Sequence, residues 1–134
     1  MKTIKEIYEV EPMDLTEFSS SLLEWYNKVI QKTEKEVDVS DVLRMIRQEL
    51  FLKTALKKSF KLLNKDYMVG EFFCAELFVS VMRLEFEELK DYLKHIKILY
   101  KKIQNDTANK ERENITEFVE SFNRLEKILQ IKKA

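Results

Sequence analysis

Apolar residues recur at steps of three and four along most of this chain, the spacing that gathers side chains onto one face of a helix. The longest such run lies between Val69 and Gln104, where Phe78, Val81, Met82, Leu89, Ile96, Leu99 and Ile103 share a stripe and Gly70 stands at its threshold. Ahead of it, Leu15, Phe18, Leu22, Trp25, Val29 and Ile30 predict a helix over about 14–33, with Asp14 and Glu17 in its first turn and Trp25 facing inward. Val42, Leu43, Ile46, Leu50, Leu56, Phe60 and Leu63 predict a second, capped by Asp38 or Ser40 and running to about Asn64. Past Asn105-Asp106-Thr107, residues Ile115, Phe118, Val119, Phe122, Leu125 and Ile128 predict a last helix over about 107–131. At the front, Thr3 and Glu6 have capping-box spacing, Ile4, Ile7 and Tyr8 share a face, and Pro12 stops the helix, so residues 1–13 form a short helical arm.

Length creates a conflict. At 1.5 Å per residue, a helix of about 35 residues would extend about 50 Å, whereas its neighbours reach only about 30–40 Å. A bend or break resolves this, and the stripe is weakest at Glu85-Phe86-Glu87-Glu88. The half from Phe72 to Met82 then reads as core, and the half from Lys94 to Lys102 as an amphipathic outer arm.

A single Gly and a single Pro leave almost no material for hairpins, so the fold class is all-α. The expected architecture is one domain over 1–134: a bundle of four long helices, the third kinked or split, plus the N-terminal arm. A chain of 134 residues buries about 68% of its unfolded surface and needs no disulfide.

Charge and chemistry narrow the function. With 24 basic against 24 acidic residues, the chain lacks the basic excess of a dedicated nucleic-acid binder. Cys74, the only cysteine, sits within the apolar run and reads as a small buried hydrophobe in a reducing, cytoplasmic compartment. The N-terminus lacks the apolar stretch of a signal peptide, and no run approaches the about 20 apolar residues of a membrane span. His95 is the only histidine and is flanked by Lys94 and Lys97, which reads as a surface position. One histidine cannot supply the paired Glu-x-x-His elements of a di-iron bundle, and no metal or other cofactor is expected. No Arg lies a few residues before His95, as the short motif of helical nucleotide-binding ribonucleases requires; the nearest upstream is Arg83. Asn114-Ile115-Thr116 has the form of a glycosylation acceptor, which a cytoplasmic protein would not use. Lys53, Lys57 and Lys61 form a basic strip that reads as a solvated helix face.

One uneven feature remains. Between Glu6 and Asn27 lie six acidic residues, Glu6, Glu9, Glu11, Asp14, Glu17 and Glu24, and no Lys or Arg. Helix dipoles account for Glu6, Asp14 and Glu17, but not for Glu9, Glu11 and Glu24. Such a field steers a basic protein to the surface, and the interleaved aromatics, Tyr26 among them, would serve as anchors. A nuclease toxin holds a phosphate backbone in a cationic cleft, so an acidic inhibitor can occupy the same place.

In size, absence of catalytic residues and this acidic segment, the chain resembles the small cytoplasmic immunity proteins of bacterial contact-dependent growth inhibition. The resemblance implies a cognate toxin domain, often a nuclease, bound one to one and neutralised without catalysis. It carries no specific residue over to this sequence. Neither nucleic acid nor membrane is expected as a direct partner. Two other readings stand beside it: a nucleotide- or RNA-processing bundle using Lys53, Lys57, Lys61 and His95, and a structural or phage-related homo-oligomer paired through the 69–104 helix.

Overall fold

A computed structural model describes residues 1–16 and 20–133, and its regular structure is helical, with no strand among the described residues. The arm forms α1, Ile4–Tyr8, closed by the capping box expected of Thr3 and Glu6. Then come α2, Ser21–Val29, and α3, Val39–Gln48, the latter capped by Asp38. Next are α4, Leu52–Lys65, α5, Glu76–Met82, and α6, Phe86–Leu89. A 3-10 turn over Lys90–Tyr92 leads into α7, Leu93–Asn105. A second 3-10 turn over Glu111–Asn114 precedes α8, Thr116–Lys133.

All four expected long helices are shorter or divided; the last, expected from about 107, begins at Thr116 because the 3-10 turn over Glu111–Asn114 and the extended Ile115 precede it. The first begins at Ser21 because Ser20, in extended backbone, accepts from the Leu23 amide at 3.2 Å, while Asp14 turns instead onto Thr16. Glu17 and Phe18 lie outside the described residues. The helix expected from Asp38 to Asn64 breaks between α3 and α4, where Glu49 and Phe51 take left-handed backbone at φ 53° and 52°. Each costs about 1–2 kcal/mol. The reversal lays the Phe51 ring against Tyr8, 4.8 Å between centroids, and Tyr26, at 5.8 Å, and that packing offsets the strain.

The third long helix departs furthest. Residues 70–75 form a loop, and Phe72 and Cys74, both expected in the core, are exposed. The cause is Glu76, whose buried carboxylate accepts from the amides of Glu71 at 2.8 Å and Phe72 at 3.0 Å and so holds the chain in a turn before α5. The break near Glu85 occurs as expected: Glu85 adopts ψ 150° and starts α6.

The centre is therefore the seven-residue α5, which packs against α3, α4 and α8 and buries Leu77, Phe78, Val79, Val81 and Met82. Around it lie Met45 of α3, Leu56 and Leu63 of α4, Ile96, Leu99 and Ile103 of α7, and Phe118, Leu125 and Ile128 of α8. Trp25 packs against this core half-buried, and His95 is exposed, as the sequence implied. No helix among the described residues is long and apolar enough to cross a membrane.

Candidate functional site

The acidic segment is held by specific hydrogen bonds. Amides of Ile4 and Lys5 donate to the carbonyls of Lys32 and Ile30 at 2.9 and 2.7 Å, fixing α1 beside the turn after α2. The Tyr8 hydroxyl lies 3.0 Å from Thr54 Oγ1 and accepts from the Thr54 amide at 3.2 Å, joining the arm to α4. At Glu9 the backbone turns left-handed, φ 52°, and the Val10 amide donates to the Lys5 carbonyl at 3.2 Å, a Schellman-type exit.

Beyond that exit, the strap through Glu11 and Asp14 meets α2 at Asn27. The Asn27 side chain grips it in both directions: the Met13 amide donates to Asn27 Oδ1 at 2.7 Å, and Asn27 Nδ2 donates to the Met13 carbonyl at 2.9 Å. Glu24 lies one turn before Asn27, on the same side of α2, so this clamp brings the strap towards Glu24. Glu6, Glu9, Glu11, Asp14 and Glu24 are all exposed.

Their electrostatics differ. Hydrogen bonds from the Thr3 amide and hydroxyl hold the Glu6 carboxyl below its ordinary range, and those from Thr16 do the same for Asp14. Both carboxylates are therefore committed to local contacts as well as facing solvent. Glu11 lies 3.7 Å from Lys5 Nζ. Exposed Ile7 and Met13 sit among these charges, so the surface mixes carboxylates with apolar side chains. Ile7 was expected to share a face with Ile4 and Tyr8, but of α1 only Ile4 is buried.

Tyr26 is elsewhere. Its ring is 8% exposed and stacks on Phe51, so it is part of the core and not a surface anchor. Trp25 is likewise engaged: its Nε1 donates to Asp41 Oδ1 at 3.0 Å, and the Arg44 guanidinium lies 5.4 Å over its ring.

Besides Glu76, sequence reasoning passed over Asp41, an acid that matters structurally. Asp41 is 6% exposed and takes Lys32 Nζ at 2.6 Å. The signal was its place three residues after Asp38, the second half of a capping box. The basic strip is also changed by its surroundings, since Lys57 and Lys61 lie 3.2 and 2.8 Å from the Glu34 carboxylate. Only Lys53 of the three lacks such a partner among the described residues.

A family model described as CDI immunity proteins, those of contact-dependent growth inhibition, matches residues 6–99, well over half of the 134-residue chain. The matched span contains every acidic residue of the segment. No curated protein matches the chain.

Proposed function

The chain belongs to the family of CDI immunity proteins, and on that premise we propose that it neutralises a cognate toxin domain by stoichiometric binding through the acidic N-terminal surface. The observation that carries the surface assignment is the joint exposure of Ile7 on α1, Glu9 at its cap, Glu11, Met13 and Asp14 on the strap, and Glu24 on α2, with Asn27 of α2 clamping the strap at Met13. Clustered carboxylates raise the encounter rate with a cationic partner, and the apolar side chains among them supply area to bury. A cationic surface is what a nuclease toxin presents to its phosphate substrate, and one inhibitor covering it accounts for inhibition without catalysis. Glu6 contributes charge, and Glu17 belongs to the same run in sequence.

The test is association kinetics with the cognate toxin domain, the one against which this chain protects a cell. Reversing Glu9, Glu11 and Glu24 to Lys should lower the association rate by about tenfold or more at low salt, with the difference shrinking as salt screens the field. An unchanged rate and unchanged protection from the toxin would reject this surface.

A further inference from the structure

The acidic surface supplies charge but few large anchors, since Tyr26 is in the core and Trp25 and Tyr8 are half-buried with their polar atoms bonded. Among the described residues, the large exposed aromatics are Phe72, 78% exposed, and Phe73, 47% exposed, adjacent in the 70–75 loop. Apolar rings left in water are unfavourable relative to burial, so a partner that covered them would gain stability.

The loop that displays them is firmly built. The Glu76 carboxylate holds the amides of Glu71 and Phe72, the Ala75 amide donates to the Met68 carbonyl at 2.7 Å, and the Leu77 amide donates to the Val69 carbonyl at 3.2 Å. Anchors held in place lose little entropy on binding.

Beside Phe73 opens a cleft of about 390 Å³ between α3 and α5. Leu43, Ile46 and Leu84 give it apolar lining, and Arg47 and Arg83 stand in its wall. Both arginines are exposed, and neither has an ion-pair partner among the described residues. Glu49 also lines it, two residues in the chain from Phe51, on which Tyr8 of the acidic arm packs. A larger groove between α7 and α8, about 510 Å³, is lined by Tyr100, Lys101, Gln104, Glu126 and other residues that, except for Lys97, fall outside the matched span 6–99.

We infer that the Phe72–Phe73 loop and the adjoining α3–α5 cleft are the apolar anchor of the toxin interface, taking a toxin segment that brings apolar side chains and a carboxylate for Arg47 and Arg83. This rests on the toxin-binding reading above and adds a division of labour to it. The acidic arm sets the rate of encounter, and the aromatic loop sets the lifetime of the complex.

The probe is again the cognate toxin domain, measured against wild type, the Phe72→Ala/Phe73→Ala variant and the Glu9→Lys/Glu11→Lys/Glu24→Lys variant. The double alanine variant should melt as wild type does, because both rings are exposed, and should raise the dissociation rate by about 100-fold while moving the association rate by less than about threefold. Cys74, the exposed neighbour and the only cysteine, gives an independent readout: its alkylation by iodoacetamide should slow by about tenfold or more in the complex, as buried interface groups are withheld from solvent. Unchanged dissociation and unprotected Cys74, with the charge-reversed variant still slow to associate, would overturn the loop assignment and leave the function standing. No binding by wild type would overturn both. Concentration-dependent dimerisation lost in the double alanine variant would reassign the loop to a second copy of this chain and overturn the proposal.

Discussion

Arg124 of α8 donates from Nε to the carbonyl oxygen of Met82, the last residue of α5, at 2.5 Å. Its Nη2 donates to the Leu84 carbonyl at 2.9 Å, so one guanidinium satisfies two carbonyls at the point where the expected long helix breaks. Replacing Arg124 with Leu leaves both without that partner, and we expect a loss of about 1.5–3 kcal/mol in urea unfolding. Lys, with one compact ammonium, should recover only part. Equal stability of the Leu variant would show that water serves these carbonyls as well.

That contact marks the limit of what was legible in the sequence. The break near Glu85 was readable because a stripe of local spacing weakened there and a continuous helix was too long for its neighbours. Its cap was not readable, because Arg124 lies 42 positions away. The same holds at Phe51, where Leu50-Phe51-Leu52 looks like uninterrupted helix until Tyr8 and Tyr26 are known to receive the ring. Phe72 and Cys74 fitted the apolar stripe, and only the carboxylate of Glu76, turned back onto the loop amides, takes them out of it. The acidic run could be read directly, whereas the burial of Tyr26 could not, since it depends on where Phe51 goes.

Asp41 links stability to pH. Burial pushes its carboxyl up, but hydrogen bonds from Lys32, Trp25 and the Asp38 amide outweigh this and leave it below the ordinary 3.8. A depressed folded value means a contribution fully present above the unfolded pKa and lost as pH falls through the folded one. Lys32, raised by its bond to Asp41, gives the mirror case: its contribution is present below the ordinary 10.5 and fades as pH rises through the folded value. Asp41→Asn should therefore cost about 2–4 kcal/mol at pH 7. The gap from wild type should narrow as urea titrations move below the ordinary 3.8. A gap that stays constant with pH would mean that the charge contributes nothing.

Tyr67 is the hub of a latch that holds the segment after α7. Its hydroxyl donates to Asp106 and accepts from Arg112 Nη1 at 2.7 Å, and the same Arg112 nitrogen donates to the Ile103 carbonyl at 2.8 Å. Tyr67→Phe should cost about 1–2 kcal/mol and speed amide exchange in residues 106–114. Combined with Arg112→Ala, the two losses should fall short of their sum, since both remove the same bond. Strict additivity in the double-mutant cycle would dissolve the latch into independent contacts.

Gly70 decides whether the aromatic loop can exist in this form. A Cβ added there would lie 2.0 Å from the Phe73 carbonyl oxygen and 2.8 Å from Glu76 Cβ, and neither neighbour can swing away as a flexible side chain would. Gly70→Ala must therefore displace the backbone between Gly70 and Phe73, and with it the amides that Glu76 holds. We expect a loss of about 1–3 kcal/mol from this overpacking. Phe72→Ala, on an exposed ring two residues away, should fall within about 0.5 kcal/mol of wild type. Because Cys74 shares the loop, its alkylation rate in the free protein should change in Gly70→Ala and hold steady in Phe72→Ala. If Gly70→Ala proved as stable as wild type with Cys74 reacting at the same rate, the close approach of the Phe73 carbonyl to Gly70 would not be what shapes the loop.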